Sequence, residues 1–154
     1  MISRMKRKLA TCGVVVAMGC AWAWTDSPIQ WRGSKGWEPE SAYCRLYDAK
    51  HVATITGKIV RIESVVPMPG MGYGVYLMLK TDSETLPVHL GPKEYVEKQT
   101  NHFVAGDTVE VTGSRVACNG KPAFLAATVK HGADTAKFRE LNGRPAWAAT
   151  NIKE

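Results

Sequence analysis

Thioether, imidazole and thiol side chains recur through the middle of the sequence as Met68, Met71, Met78, His89 and Cys118. Sulfur and imidazole donors together suit a soft ion such as Cu(I) better than a hard cation. Met71, Met78, His89 and Cys118 are therefore candidate metal ligands. No close His/Met/Cys spacing accompanies them, and each has an ordinary reading beside the functional one. Met68 and Met71 can cover apolar surface, and His89 can be a hydrogen-bonded imidazole that orders the Gly91-Pro92 turn. A broader ligand face adds rings and cations, and comprises Met68, Met71, Tyr73, Tyr76, His89, Arg115 and Lys121.

Catalytic patterns are missing. The chain has no Gly-x-Ser-x-Gly, no phosphate-binding glycine loop and no His-Glu-x-x-His. Its acids Asp82, Glu84, Glu94 and Glu97 fall in a turn or on a helix surface, where solvation explains them. The expectation is a protein that binds and does not catalyse. Cys-x-x-Cys and Cys-x-x-Cys-His are also absent, which argues against a thioredoxin-type dithiol and covalent c-type haem. A soft metal ion is the one cofactor that the side chains suggest.

These residues must be positioned by strands. Residues 53–66 are rich in Ile, Val and Thr, but Ile55 and Ile59 have one parity and Val60 and Ile62 the other. The strand should bend or bulge near Gly57. Residues 67–74 form a Pro/Gly-rich loop. Val75, Leu77 and Leu79, then Leu86, Val88 and Leu90, alternate with other residues across a turn at Asp82-Ser83, which predicts a hairpin with one apolar face. In that register Tyr76 and His89 become cross-strand neighbours on the opposite face, with Met78 diagonal to His89. A short helix over 93–99 follows Gly91-Pro92. Strands over 108–117 and 121–130 flank Asn119-Gly120, a strong hairpin signal. A second Asn-Gly, Asn142-Gly143, predicts an accessory hairpin over 137–147. Three strands, a helix and two strands is the order of an OB-fold, a five-stranded Greek-key barrel that binds ligands between its first and fourth loops. The corresponding loops are residues 67–74 and 118–121.

The first 23 residues carry four bases and no acid, an apolar run over 9–18, and Ala21-Trp22-Ala23. This is the layout of a secretory signal peptide, with an apolar run too short to span a bilayer. Ala17-Met18-Gly19-Cys20 offers a lipid anchor at Cys20 as the alternative to soluble periplasmic or secreted protein. Formal net charge is +6 for the whole chain, and residues 24–154 hold 16 bases against 14 acids, a net of +2. That is little for a nucleic-acid partner. An envelope protein or a small ligand is the expected partner.

Residues 24–50 form a leader rich in Trp, Tyr, Gly and Pro, whose rings are expected to clamp it onto the domain. The domain occupies 51–147, and a loose tail 148–154. Cys44 and Cys118 remain after signal removal. An oxidising compartment would permit them to pair, and closing about 75 residues would contribute about 4 kcal/mol in the chain-entropy account. Two separate thiols are the equal alternative.

Tyr47-Asp48, Thr56-Gly57-Lys58-Ile59-Val60, Gly70-Met71-Gly72-Tyr73-Gly74-Val75, Pro87-Val88-His89-Leu90-Gly91-Pro92, Val111-Thr112-Gly113-Ser114-Arg115 and Gly120-Lys121-Pro122-Ala123 give the chain a family likeness. It resembles a widespread family of small exported bacterial OB-fold-like proteins. It is also similar to the domain of the magnetosome proteins MamS and MamX, which take part in magnetite crystal growth. The resemblance implies fold and compartment, and a metal-handling or redox accessory role, including biomineralisation, as an alternative to a general binding module. A structural interaction protein of the envelope is a further alternative.

Overall fold

The longest strand, β1 (Val52–Val65), serves two neighbours and must bend to do so. Its first half pairs antiparallel with β4 (Thr108–Cys118) and its second half with β2 (Gly74–Lys80), with Lys58 at the changeover. The ladder to β2 slips between Ile59 and Arg61, so the bend falls at Val60, slightly beyond the expected Gly57. There Ile59 is buried and Val60 is 47% exposed, which resolves the clash of parities. Gly57 instead lets the strands approach closely, since a Cβ on it would lie 2.6 Å from the Lys80 carbonyl oxygen.

The computed structural model describes residues 35–99 and 102–149. The expected signal peptide, Cys20 and the first part of the leader lie outside the described residues, as do 150–154. Among the described residues no helix is long and apolar enough to cross a membrane.

The domain is mainly β. β2 and β3 (Thr85–Pro92) form the expected hairpin, its turn closed by the Thr81 N–H donating to the Glu84 carbonyl at 2.8 Å. A short helix, α1 (Lys93–Glu97), follows with Pro92 as its N-cap, so proline stands just outside the helix. β4 and β5 (Lys121–His131) meet across Asn119-Gly120, both at positive φ, as the tight turn requires. β6 (Asp134–Lys137) then pairs with β5. The sheet order is β3-β2-β1-β4-β5-β6, and β3 also pairs parallel with β5 through Val88↔Phe124 and His89↔Leu125.

The accessory hairpin expected over 137–147 takes a short form: Arg139 bridges Pro145 antiparallel around Asn142-Gly143, with the Ala146 N–H donating to the Phe138 carbonyl and the Glu140 N–H to the Arg144 carbonyl, both at 2.9 Å. The correction to the five expected strands is β6, which the turn at Gly132 (φ 61) lets extend the main sheet directly from β5. Residues 146–149 form a 3-10 turn with Ala148 buried, so packing continues past the boundary expected for the tail.

Leu77, Leu79, Leu86, Val88, Val111 and Val129 are each at most 1% exposed in the core. The other side of β2 and β3 is covered as well. Trp37 and Trp147 are fully buried, with ring centroids 5.7 Å apart, and Tyr43 lies edge-on to Trp37 at 4.8 Å. Gly74 and Gly91 make room for them: a Cβ would stand 2.5 Å from the Trp37 ring at the first and 2.9 Å from the Trp147 ring at the second. The Trp147 indole N–H donates to the Trp37 carbonyl at 2.8 Å, tying the leader to the C-terminal segment. The described part of the leader therefore clamps onto the domain.

Candidate functional site

Strand alternation places Tyr76, Met78, Pro87 and His89 on the side of the β2–β3 hairpin away from Leu77 and Val88. Beyond the aromatic cover this side opens into a groove of about 330 Å³. One wall comes from residues 65–67 at the end of β1, the other from residues 118–123 across the β4–β5 turn, while Arg61 and Glu63 stand at the rim. Pro67 holds the walls together. Its carbonyl accepts the Asn119 side-chain N–H at 2.8 Å and faces the Cys118 thiol at 3.6 Å.

His89 is the most constrained group in the groove. It sits opposite Tyr76, as the hairpin pattern predicts, and the rings stack at 3.7 Å with 9° between planes. Its Nδ1 is hydrogen-bonded at 2.9 Å to the Tyr43 hydroxyl. It is 3% exposed. Burial, aided by the Arg139 cation, lowers its pKa to about 3, so the imidazole is neutral at any ordinary pH. Burial also raises the Tyr76 hydroxyl and the Cys118 thiol, holding both protonated.

The groove gathers five of the expected residues, Tyr76, Met78, His89, Cys118 and Lys121. Others fall elsewhere, which corrects the expected ligand face and metal set. Met68 and Met71 line a second pocket of about 310 Å³ against the leader, with Gly36, Ser41 and Tyr43. The Lys35 carbonyl captures the Gly72 N–H at 2.7 Å and draws the glycine loop toward the leader, away from the groove. Tyr73 is 59% exposed, its carbonyl accepting from the Lys93 N–H. Arg115 is paired with Glu84 at the hairpin turn, which lowers the carboxyl pKa and raises that of the guanidinium.

Cys44 and Cys118 are both buried free thiols. Each is turned toward a backbone carbonyl, Cys44 toward Trp37 at 3.9 Å and Cys118 toward Pro67.

Sequence reasoning missed the Arg61–Glu63 pair at the rim, although their i,i+2 spacing on a strand puts both on one face. It also missed Arg139, 1% exposed, whose guanidinium lies 4.7 Å from the Trp147 ring centroid and 5.9 Å from those of Tyr43 and Tyr47. No spacing pattern signals such a residue, since two of its three rings, Tyr43 and Tyr47, come from the leader at the far end of the sequence.

The fold and groove together describe a mainly β domain with an open groove on one face of its sheet. The chain belongs to the MamS/MamX magnetosome protein family, whose family model matches residues 51–136. The match begins one residue before β1 and ends inside β6, so it contains every groove residue. A search of curated proteins finds no match to the chain.

Proposed function

We propose that the chain is an exported, non-enzymatic binding module of the periplasm or cell envelope, serving a magnetosome-type process through the β2–β3 groove. The position of the groove carries the reading. In OB-folds ligands lie on the face of strands two and three, between the loop joining strands one and two and the loop joining strands four and five. The groove here lies on that face of β2 and β3, between Val66-Pro67 at the entry to the first loop and the β4–β5 turn. The helix between β3 and β4 and the β3–β5 pairing support an OB-type barrel as its frame. Family membership supports the magnetosome context, and the basic, apolar and small-residue layout of residues 1–23 supports export.

Binding without catalysis fits the groove's chemistry. Glu63 is ion-paired with Arg61, and the neutral His89 is held by Tyr43. The leader is a poor docking arm for another protein in its described part, because Trp37 and Tyr43 are spent on the domain itself.

The test fills the groove without disturbing the core. Pro122 is exposed and lines it. In a magnetosome-forming host lacking its own copy, the full-length protein should fractionate with the periplasm or envelope and restore normal crystal size. Pro122→Trp should fractionate identically and fail to restore it. Full restoration by Pro122→Trp would refute the groove as the working surface.

A further inference from the structure

The three soft donors that the groove retains lie on three different strands: Met78 on β2, His89 on β3 and Cys118 at the end of β4. Met78 pairs with Pro87 and Tyr76 with His89, so Met78 and His89 are diagonal neighbours on one face. We propose that Met78, His89 and Cys118 form a seat for one soft monovalent cation, Cu(I). This rests on the groove being the binding surface, and it names what the surface holds.

His89 is prepared as a ligand. A metal-binding imidazole commonly uses its second nitrogen to hold an outer hydrogen-bond partner that fixes the ring. Tyr43 fills that role on Nδ1, and Tyr76 stacks on the ring. Nε2 is then the donor left over: none of the described residues hydrogen-bonds to it, although the side chain is almost wholly buried and lines the groove. In the bound state Nδ1 carries the proton and donates to the Tyr43 oxygen, and Nε2 offers its lone pair to the ion.

Charge and softness select the ion. Glu63, the carboxylate at the rim, is paired with Arg61, and Lys121 adds a further positive charge. A divalent cation would meet a rim of net positive charge and a mostly neutral ligand set. Cu(I) bound to the Cys118 thiolate is neutral overall, which suits a buried position, and the thiol proton passes to solvent as the Cu–S bond forms. Among the described residues no three of His, Cys, Asp or Glu converge, so a seat of the usual zinc type is not assembled. A thioether completes this one, and thioethers favour Cu(I).

The test is an anaerobic titration of the full chain with Cu(I) buffered by a chromophoric chelator. A single Cu(I) per chain should leave the chelator, and excess Zn(II) should not displace it. Met78→Leu and Cys118→Ser should each weaken binding at least about tenfold, and Tyr43→Phe, which touches only the outer partner, about 10- to 100-fold. Thermal unfolding of the metal-free variants controls for folding. Failure of the wild-type chain to take Cu(I) from the chelator overturns the seat, as does equal affinity in Met78→Leu and Cys118→Ser. The two readings fail separately. Absence of Cu(I) binding while Pro122→Trp still cannot restore crystal size removes the ion and leaves the groove, whereas restoration by Pro122→Trp removes the groove reading.

Discussion

The outer side of the β2–β3 hairpin is finished in two different ways. Toward Gly74 and Gly91 the strands carry no side chains, and the protein's own Trp37 and Trp147 fill the space. Toward Tyr76, Met78, Pro87 and His89 the strands carry bulky side chains, yet the space above them stays open. Glycine marks where the chain covers itself, and ordered soft and aromatic groups mark where it leaves room. His89 stands on the border, held by Tyr43 from the closed region and contributing to the open one. The first region is built for stability and the second is spared from it. Substitutions should therefore separate them sharply.

The largest effect belongs to the closed region. Trp147→Ala removes a fully buried indole, its edge contact with Trp37 and its hydrogen bond to the Trp37 carbonyl. It should cost about 3–5 kcal/mol in urea unfolding. Pro122→Trp, in the open region, should stay within about 0.5 kcal/mol of wild type. Similar losses for both would erase the distinction.

Acid sharpens the border. His89 has a folded pKa of about 3 against an ordinary value near 6.5. The unfolded chain therefore binds this proton first as pH falls. Stability is fully present above pH 6.5 and is lost between 6.5 and about 3, approaching a slope of about 1.4 kcal/mol per pH unit. From pH 7 to pH 5 the loss should be about 2 kcal/mol, above the range where Asp48 and Glu84, both lowered by their partners, take up protons. His89→Gln should flatten that segment of the curve. An unchanged slope in the variant would place the acid sensitivity elsewhere.

The open region was largely legible in the sequence, and the closed region was not. Alternation in two short strands and one turn set Tyr76 opposite His89 and Met78 diagonal to it. Asn119-Gly120 placed the opposite wall. These are local signals of period two and turn chemistry. The covering of His89 depends on Tyr43, 46 residues earlier, and the Trp37–Trp147 bond spans 110 residues. No local pattern encodes either. The same limit explains the departure of Met71 from the candidate metal set, since one backbone bond from Gly72 to Lys35 redirects its loop. β6 was missed because its four residues carry one buried side chain, Ala136, too weak an alternation to be seen.

The smallest effect tests how completely the closed region satisfies itself. Two of its buried polar atoms have no hydrogen-bond partner, the Tyr47 hydroxyl and the Arg139 Nε. Arg139 is otherwise held by the Gly143 carbonyl, at 3.2 Å from Nη1, and by the faces of three rings. Tyr47 is held by shape, its ring packed where a Cβ on Gly143 would stand 2.6 Å away. An unpaired buried hydroxyl costs its desolvation and returns nothing. Tyr47→Phe keeps the ring over Arg139 and removes that cost, so it should stabilise the protein by up to about 1 kcal/mol. Calorimetric unfolding of the two proteins at one pH measures the difference. A loss of more than about 1 kcal/mol would mean that the hydroxyl is engaged, and the self-covered region would then hold a bound group of its own, just as the groove is proposed to do.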